Sequence, residues 1–508
     1  MLRPPPLRSP AIVAFVLGAL GVGFRAWLIA RDAPLTNSDE ATIGLAALHI
    51  WRGEDFPVYF YGQHYMGTIE AYLAAPLVGL LGPTTLALRL PTLALFALFL
   101  FLMYALSKRL YSPWLGVVTV GLLALGSDRI VKNQLIAGGG YPETSPMVVA
   151  LLLGVLTLSR SEKPRPWVMG GVGLLTGLIV WNHWLPLPYL AVAAVLLVIF
   201  CRGQIAARGG LFLAGGLLLG VFPLIWHDLH NTFSKSFLGV FWHLQTTGTD
   251  PSAGDRLYGG GLIGLPLGTG MCAPSHCAPW QLWWGPVYVA LLVIAAVLAY
   301  RTPRSPERAL RIGLAVAALL TVVSYVRNSA AAESPIESAR YLSCLLISTP
   351  VWLDAIRHFV LSARPAWLRL TAAAPLALGA AMAIFATASL AAHVPEYTER
   401  TRDQRTVLAA LADRGQTRLY SDYWTCNWIA YQTGEERVCA VLGDDLTEGL
   451  NRYHAYWDVV GQAREVTYLA PIGHPMDAAL AKAFPDRPVE TAANYHLYLP
   501  VGVSAAAA

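Results

Sequence analysis

The chain has 508 residues, of which 55% are hydrophobic and 13% are charged. Soluble proteins carry about 25% charged residues, so this composition excludes an ordinary soluble enzyme. The net charge of +5 is small, and no dense cluster of Lys and Arg is interleaved with aromatic residues, so no nucleic-acid partner is predicted.

Apolar runs long enough for membrane helices recur from the N-terminus to about Leu390. The first run is longer than the apolar region of a signal peptide, and no clear cleavage site follows it, so we predict an uncleaved first span. The predicted spans number about eleven. They lie near residues 11–30, 83–106, 113–128, 143–159, 166–184, 185–201, 209–227, 282–300, 309–326, 339–358 and 370–392.

Basic residues collect at every second connection between spans, and the positive-inside rule assigns those connections to the cytoplasm. They are Arg3, Arg8, Lys108, Arg109, Arg160, Lys163, Arg165, Arg202, Arg208, Arg301, Arg304, Arg308, Arg311, Arg357, Arg364 and Arg369. The N-terminus is then cytoplasmic, and the polar loops and the C-terminal piece are extracytoplasmic. Arg25, within the first span, is expected to snorkel outward.

The first loop (residues 31–82) contains two helical patterns. Apolar residues recur at helical spacing from Asp39 to Trp51, and either Thr36 or Ser38 could cap this helix. A second apolar run covers Met66–Leu81. Because a further span here would break the alternation of basic connections, we expect two helices lying in the membrane interface.

The first loop also carries the strongest catalytic candidates. Carboxylates beside a membrane are costly, and either Asp39 or Glu40 could act as a general base. The same pair could simply favour a helix N-terminus through the helix dipole. Glu70 lies in an apolar run, where that explanation is weaker, so we predict a role in a site. Three further residues could hydrogen-bond a sugar or a phosphate: Gln63, His64 and Tyr65.

Other candidates lie in later connections and near span ends. The G-G-G-Y-P-E run at 138–143 could form an anion-binding nest or an ordinary flexible turn. Arg340, followed by Tyr341, opens a late span and suits a phosphate clamp at a helix N-terminus, or else an interfacial anchor. The remaining candidates are Arg129, Lys132, Tyr141, Glu143 and His183.

The tail, residues 395–508, has a different character from residues 1–394. Its charged fraction rises and its long apolar runs stop, so we place a domain boundary there. Helical and strand patterns alternate, which predicts a small α/β domain without a glycine-rich phosphate loop. The predicted helices are 407–414, 453–463 and 477–483, and the predicted strands are 418–423, 438–442, 465–470 and 496–499.

The cysteines suggest two disulfides in extracytoplasmic segments. Cys272 and Cys277 share one loop, and Cys426 and Cys439 share the tail. A zinc site that includes His276 is a weaker alternative, because no fourth ligand lies nearby. The remaining two cysteines, Cys201 and Cys344, lie near or within spans and are expected to be inert.

The sequence resembles GT-C superfamily glycosyltransferases of the protein O-mannosyltransferase and aminoarabinose-transferase type over roughly residues 10–390. The segments that carry the resemblance are Asp39–Glu40, Tyr61–Glu70, Leu88–Pro91, Ser107–Tyr111 and Ala339–Leu342. The resemblance implies a polytopic α-helical protein of the bacterial inner membrane. It also implies a transferase that takes a sugar from a polyprenyl phosphate and inverts the anomeric centre.

The resemblance also implies residue roles. Asp39 matches the acidic base, and Arg340 matches the position that meets the lipid phosphate, with help from Arg129 or Lys132. Glu70 and Glu143 match outer-loop acids whose roles are less defined.

The sequence departs from the family at two places. Gln63–His64 stands where aminoarabinose transferases carry a Lys-Pro element, so the acceptor is left open among lipid, glycan and protein. The tail does not resemble the β-trefoil insertion of the eukaryotic O-mannosyltransferases. A divalent metal ion also stays open, because the carboxylates show no convincing ligand spacing.

Other functions remain open on the sequence. An oligosaccharide ligase or polymerase would use the same kinds of donor and acid. A lipid-linked sugar transporter would place ionisable groups near mid-membrane, whereas the polar residues here collect at span ends. A non-catalytic assembly or sensor protein would bind through its tail.

Overall fold

The computed structural model describes residues 9–246, 249–273 and 277–501, most of which are helical. The helices are α1 (Pro10–Ala30), α2 (Ser38–Arg52), α3 (Ile69–Leu81), α4 (Thr85–Leu110), α5 (Pro113–Ala124), α6 (Asp128–Leu135), α7 (Tyr141–Ser159), α8 (Pro166–Asn182), α9 (Leu187–Gln204), α10 (Gly210–His230), α11 (Phe237–Thr246), α12 (Ala253–Leu257), α13 (Leu265–Gly268), α14 (Trp284–Tyr300), α15 (Pro306–Arg327), α16 (Ala330–Glu333), α17 (Pro335–Ser338), α18 (Thr349–Ser362), α19 (Ala366–Ala392), α20 (Val394–Asp413), α21 (Tyr423–Gln432), α22 (Ala455–Gly461) and α23 (Pro475–Ala483). The strands are β1 (Arg418–Ser421), β2 (Val438–Val441), β3 (Thr467–Pro471), β4 (Val489–Ala492) and β5 (Tyr495–Tyr498). Shorter 3₁₀ and π segments are Ile205–Gly209, Phe233–Lys235, Tyr258–Gly264, Pro279–Gln281 and Ala339–Ser348.

The chain folds into two compact units, one of which combines the tail with most of the first loop. The helical unit comprises the chain up to Ala26, Thr92–Leu135 and Gly140–Ala392. The loop–tail unit comprises Trp27–Pro91, Ile136–Gly139 and the chain from His393. The first loop therefore folds with the tail, although the sequence suggested that it belongs with the spans.

The helical unit accounts for most of the predicted spans. Within the described ranges, eight helices are long and apolar enough to cross a membrane, or nine if the bent pair α5 and α6 is one span. The difference from about eleven predicted spans lies at α8, which is shorter, and at the continuous run from α9 to α10. Each predicted span coincides with helix, which confirms a polytopic helical protein.

The run from α9 to α10 reverses direction, as the predicted separate spans 185–201 and 209–227 require. An added Cβ at Gly173 would lie 2.1 Å from the Leu213 carbonyl oxygen, and one at Gly177 would lie 2.5 Å from that of Leu217. These glycines let α8 and α10 approach backbone to backbone. Because the contacts advance in step along both helices, α8 and α10 are parallel. The chain between them must reverse, which it does at the π segment Ile205–Gly209.

Arg25 does not snorkel outward as expected, but is fully buried. Its guanidinium donates to the carbonyl oxygens of Ala124 at 2.8 Å and Leu125 at 3.2 Å, and to Gln134 Oε1 at 2.8 Å. Those carbonyls lie where α5 and α6 meet at a bend of 93°. A helix break frees backbone acceptors, and Arg25 satisfies them, so the residue stabilises the bend.

The tail is the small α/β domain that the alternating pattern predicts. Its sheet has the strand order β2-β1-β3-β5-β4, with β1 parallel to both neighbours and β5 antiparallel to both of its own. Each predicted strand and helix of the tail overlaps an observed one. The prediction missed α21, whose sequence mixes aromatic and polar residues, and β4, a short edge strand with exposed side chains.

One apolar core joins the first loop to the tail within the loop–tail unit. Ile43 and Leu45 of α2 share this core with Trp428 and Ile429 of α21. The helices approach so closely that a Cβ at Gly44 would lie 2.6 Å from the Tyr431 ring. The apolar side of α2 is thus covered by protein, a contact that the prediction of an interfacial helix did not include. By contrast, α3 keeps an exposed apolar side.

The structure contains two disulfides, Cys272–Cys277 and Cys426–Cys439. Cys201 and Cys344 are free and buried. His276 of the alternative zinc site lies outside the described residues, as do Arg3 and Arg8 of the orientation argument.

Candidate functional site

Asp39 and Glu40 lie in the first turn of α2, where Asn37 is the capping residue. The Asn37 side chain accepts from the Glu40 backbone N–H at 2.9 Å, so the expected caps Thr36 and Ser38 are wrong. The Ser38 hydroxyl instead donates to the Tyr423 carbonyl oxygen at 2.6 Å. The two neighbouring acids have different surroundings.

The Asp39 carboxylate is held by two residues of the tail and keeps a partly exposed surface. The Tyr423 hydroxyl donates to Asp39 Oδ1 at 2.5 Å, and Arg452 Nη2 lies 3.7 Å from the same oxygen. Arg452 Nε also donates to the Tyr423 oxygen at 3.0 Å. With its amide oxygen turned toward the guanidinium, Gln63 accepts from Arg452 Nη1 at 2.7 Å. A partly exposed and oriented carboxylate can take a proton from an acceptor hydroxyl.

Glu40 faces Arg89 and has no exposed surface. Arg89 Nε and Nη2 donate to the two carboxylate oxygens at 2.8 and 2.7 Å, and both side chains are fully buried. A carboxylate committed to a buried bidentate pair has no approach for a substrate and no free lone pair facing one. Of the two neighbouring acids, Glu40 is thus the one that an internal ion pair engages at both oxygens.

Glu70 is also engaged by the protein itself. It is buried at the start of α3 and accepts from the Gly139 backbone N–H at 3.0 Å. Gly139 has φ 94°, a conformation that favours glycine. The glycine run therefore does present a backbone donor to an anion, and that anion is Glu70. His64 and Tyr65 lie half-buried in the same first loop.

A second polar cluster links α2 to the turn after α21 in the loop–tail unit. His49 Nε2 lies 2.9 Å from Glu435 Oε1, the Tyr456 hydroxyl donates to the same oxygen at 2.6 Å, and Arg52 Nη1 donates to Oε2 at 2.5 Å. Burial raises the pKa of Glu435, but these hydrogen bonds and the Arg52 charge outweigh it and lower the pKa to about 2.

This cluster predicts a specific acid sensitivity. Because the folded pKa of Glu435 is below its ordinary value, its contribution to stability is complete above about pH 4.5 and is lost toward pH 2. We expect the thermal midpoint of the detergent-purified protein to fall across that range, and the Glu435→Gln variant to show a flatter dependence. Equal slopes for the two proteins would contradict the pKa assignment.

The same cluster contains side chains of the types that bind metal ions. Among the described residues, ligand atoms of His49, Glu54 and Glu435 lie within 4.8 Å of one another. Arg52, however, contacts both carboxylates, at 3.8 Å for Glu54, and supplies the positive charge itself. The residues therefore fit an internal ion-pair network better than a divalent ion.

Arg340 and two aromatic rings form the centre of a separate cluster in the helical unit. The guanidinium lies over the rings of Tyr141 at 5.8 Å and Tyr341 at 5.6 Å. Arg340 stands in the 3₁₀ segment Ala339–Ser348, directly after α17, so it is not at the N-terminus of an α-helix as expected. The side chain, and not a helix dipole, is the source of positive charge here.

Further predicted residues lie around this cluster. Arg129 has Arg340 and Tyr141 among its electrostatic neighbours, while Lys132 pairs with Asp128 at 2.9 Å. Two nearby guanidiniums favour an anion between or beside them. Glu143 is buried in the first turn of α7.

His183 follows α8 and completes the predicted set. Its ring lies 5.4 Å from Tyr141, and its Nδ1 accepts from the Leu185 N–H at 3.2 Å. The neutral tautomer then carries its proton on Nε2, which is buried and has no hydrogen-bond partner among the described residues. His183 therefore presents a hydrogen-bond donor near Tyr141 and Arg340.

Two crevices in the helical unit lead away from Tyr141. The first, with an empty volume of about 380 Å³, is lined by Tyr141 and by polar residues such as Asn133. The second, of about 520 Å³, is lined mainly by apolar side chains. Both include Ile130 and Leu346 in their walls, so they adjoin. The Tyr141 ring, over which Arg340 lies, is thus part of the wall of the first crevice.

Comparison with solved structures identifies the fold. The chain superposes on ArnT from Cupriavidus metallidurans bound to undecaprenyl phosphate with a TM-score of 0.63, covering 98% of each chain at 13% identity. It also matches the Archaeoglobus fulgidus oligosaccharyltransferase in the apo form, with a TM-score of 0.51 and 10% identity over 91% of this chain and 69% of that one. The chain has a GT-C fold.

The GT-C fold rests on these structural likenesses. A third structure, the archaeal oligosaccharyltransferase AglB from Archaeoglobus fulgidus with an inhibitory peptide and a dolichol-phosphate, gives a TM-score of 0.50 at 11% identity, covering 98% of this chain and 75% of that one. No protein-family model matches the sequence, and no curated protein matches it.

Reading the sequence missed Tyr423 and Arg452, which the structure places against Asp39. Tyr423 is separated from Asp39 by 384 positions, and no spacing rule connects such residues. The rise in charged residues and the end of the long apolar runs predicted a domain in the tail, but these patterns do not predict a contact with Asp39.

Proposed function

We propose that the protein is an integral membrane glycosyltransferase that moves a sugar from a polyprenyl phosphate to an extracytoplasmic acceptor. The observation that carries this proposal is the cluster at Arg340. Its guanidinium lies over the Tyr141 ring, has Arg129 among its electrostatic neighbours, and Tyr141 lines one of two adjoining crevices. A phosphate joined to a long hydrocarbon needs positive charge near apolar surface. The GT-C likeness to a protein bound to undecaprenyl phosphate supports the same ligand class.

The proposed reaction is an inverting displacement at the sugar C1. Asp39 accepts the proton of the acceptor hydroxyl as its oxygen forms a bond to C1, and the bond from C1 to the phosphate oxygen breaks. Arg340 and Arg129 stabilise the charge on the departing polyprenyl phosphate, with Tyr341 and Lys132 as further candidates. Such preorganised electrostatic stabilisation is often the largest contribution to catalysis.

The hydrogen bonds and ring contacts of the remaining candidate residues indicate different roles for them. Glu40 and Glu70 are assigned to structure, because Arg89 and the Gly139 N–H already occupy their carboxylates. Tyr141 and His183 are assigned to donor binding, since they lie with Arg340 in one cluster. Gln63, His64, Tyr65 and Glu143 keep their assignment as substrate-binding candidates.

An oligosaccharide donor is the second candidate, favoured by the likeness to AglB over 98% of this chain. A panel of undecaprenyl-phosphate monosaccharides and lipid-linked oligosaccharides, offered to the purified protein with envelope lipid, glycan and peptide acceptors, distinguishes the two. We expect release of undecaprenyl phosphate with a monosaccharide donor. Movement of intact donor across a proteoliposome without release would establish transport and refute the enzyme.

Replacement of Arg340 tests the phosphate site. We expect Arg340→Gln to lower kcat on the order of a hundredfold, because charge on the leaving phosphate loses its main partner. Arg340→Lys should recover only part of the rate, since a lysine lacks the planar fork. The control is Arg327→Gln, an exposed arginine at the end of α15 in the same unit. Full activity of Arg340→Gln would place the phosphate elsewhere.

A further inference from the structure

The tail holds the proposed base through a connected set of four contacts. Tyr423 donates to Asp39, Arg452 donates to the Tyr423 oxygen and stands 3.7 Å from Asp39, and Gln63 accepts from Arg452. We infer that Tyr423 and Arg452 are positioning residues for the transfer reaction, through which the C-terminal domain sets the orientation of Asp39. This inference rests on the proposed function. It gives the tail a role in positioning Asp39, which the proposed function does not require.

Both positioning side chains are themselves fixed in place. Tyr423 begins α21, where the Asp422 side chain caps the helix by accepting from the Trp424 N–H at 2.8 Å. The Tyr423 ring meets the Trp424 ring edge to face with centroids 5.0 Å apart. The Arg452 guanidinium lies over the Phe60 ring at 5.0 Å and the Tyr423 ring at 5.5 Å. Side chains locked in this way can hold a third group in one geometry.

The chemistry of the two donors suits a base that must stay ionised. Burial first, and then the negative charge of Asp39, raise the pKa of Tyr423 to about 12, so its hydroxyl remains a donor at any physiological pH. Arg452 adds a permanent positive charge. These are the titratable and charged groups that contact the Asp39 carboxylate from α21 and from the segment before α22. Both groups are hydrogen-bond donors, which suit the oxygens of a carboxylate.

A purely structural role for these contacts is the competing explanation. It would make the variants less stable without changing how the remaining folded enzyme responds to pH. A positioning role changes the reaction itself, so the informative readouts are kcat apart from KM and the pH–rate profile of the folded fraction. Misplacement of a reacting group by about 1 Å can cost on the order of a hundredfold in rate.

The test uses Tyr423→Phe, which removes one hydroxyl and keeps the ring, together with Arg452→Met and Arg452→Lys, in the full-length protein. We expect Tyr423→Phe and Arg452→Met to lower kcat by about tenfold to a hundredfold, with KM changed less. The pH–rate profile of the folded fraction should differ from that of the wild type, because Asp39 has lost groups that contact its carboxylate. Arg452→Lys should lie between Arg452→Met and the wild type.

Two matched controls come from the same unit. Tyr420→Phe removes a hydroxyl from a ring that packs on Trp457 and Tyr468, away from Asp39. Arg405→Met breaks an exposed ion pair with Asp32. Both should leave kcat and the pH–rate profile unchanged. Thermal unfolding of every variant reports the folded fraction, and Arg452→Lys keeps the test decisive if Tyr423→Phe does not fold.

The outcomes separate this inference from the proposed function. If Asp39→Asn is inactive while Tyr423→Phe and both Arg452 variants keep the wild-type kcat and pH–rate profile, the positioning role is overturned and the transferase stands. If Asp39→Asn is fully active, the assignment of the base fails, and the positioning role fails with it. Lower stability with an unchanged profile would reduce these residues to structural contacts.

Discussion

Replacement of Asp39 by asparagine is expected to lower the rate of sugar transfer by about 10²- to 10⁴-fold, the usual contribution of a general base. The amide has nearly the same shape and can still accept the hydrogen bond that Tyr423 donates at 2.5 Å, so the fold should survive. It cannot take a proton from an acceptor hydroxyl. The measurement is release of polyprenyl phosphate by purified variant and wild type at saturating donor.

The control for this experiment is Asp32→Asn, which also removes a carboxylate from the loop–tail unit. Asp32 pairs with Arg405 at 2.9 Å on an exposed surface, where ion pairs contribute little. We expect its activity to equal that of the wild type. A fully active Asp39→Asn enzyme would show that another group takes the proton.

The second large effect is expected at the buried pair of Glu40 and Arg89. Removing one partner, as in Arg89→Met, leaves the other charge buried without compensation and should cost about 3–5 kcal/mol of stability. Both side chains are fully buried, so water cannot replace the lost partner without opening the fold. Thermal unfolding in detergent should show the loss, and Glu40→Gln should behave similarly.

The double variant Glu40→Met/Arg89→Met distinguishes structure from catalysis at this pair. Replacing a buried ion pair by apolar side chains of similar volume is often neutral or stabilising. We therefore expect the double variant to regain much of the stability and, with it, the transfer activity. A stable double variant without activity would return Glu40 to the catalytic machinery and contradict its structural assignment.

Sequence patterns predicted the structure correctly wherever the residues of one segment determine the structure of that segment. Long apolar runs located the spans, and alternating patterns located the strands from Arg418 and Val438 in the tail. Cysteine positions suggested the two disulfides that the structure contains. The same reasoning selected Asp39 and Arg340 as candidates, because charged residues beside apolar runs are costly to keep there.

Patterns failed where a residue's neighbours come from distant parts of the chain. Asp39 and Glu40 are adjacent and of one chemical type, yet one meets Tyr423 and the other Arg89. Helical periodicity of α2 predicted an apolar face correctly, but not that α21 covers it. The sequence predicted that Arg25 would snorkel outward. In the structure, its guanidinium instead donates to a carbonyl oxygen that a helix break leaves free. Tertiary contacts decided each of these cases.

The loop–tail unit combines an early and a late segment of the chain, and this has a consequence for synthesis of the protein. The ribosome makes α2 roughly 370 residues before α21, the tail helix that shares its core. At about 5–20 residues per second, the apolar face of α2 waits on the order of 20–75 s for α21. We expect chains truncated before His393 to present this face to chaperones or proteases. The proposed catalytic carboxylate gains its full set of partners only when nearly the whole chain has been made.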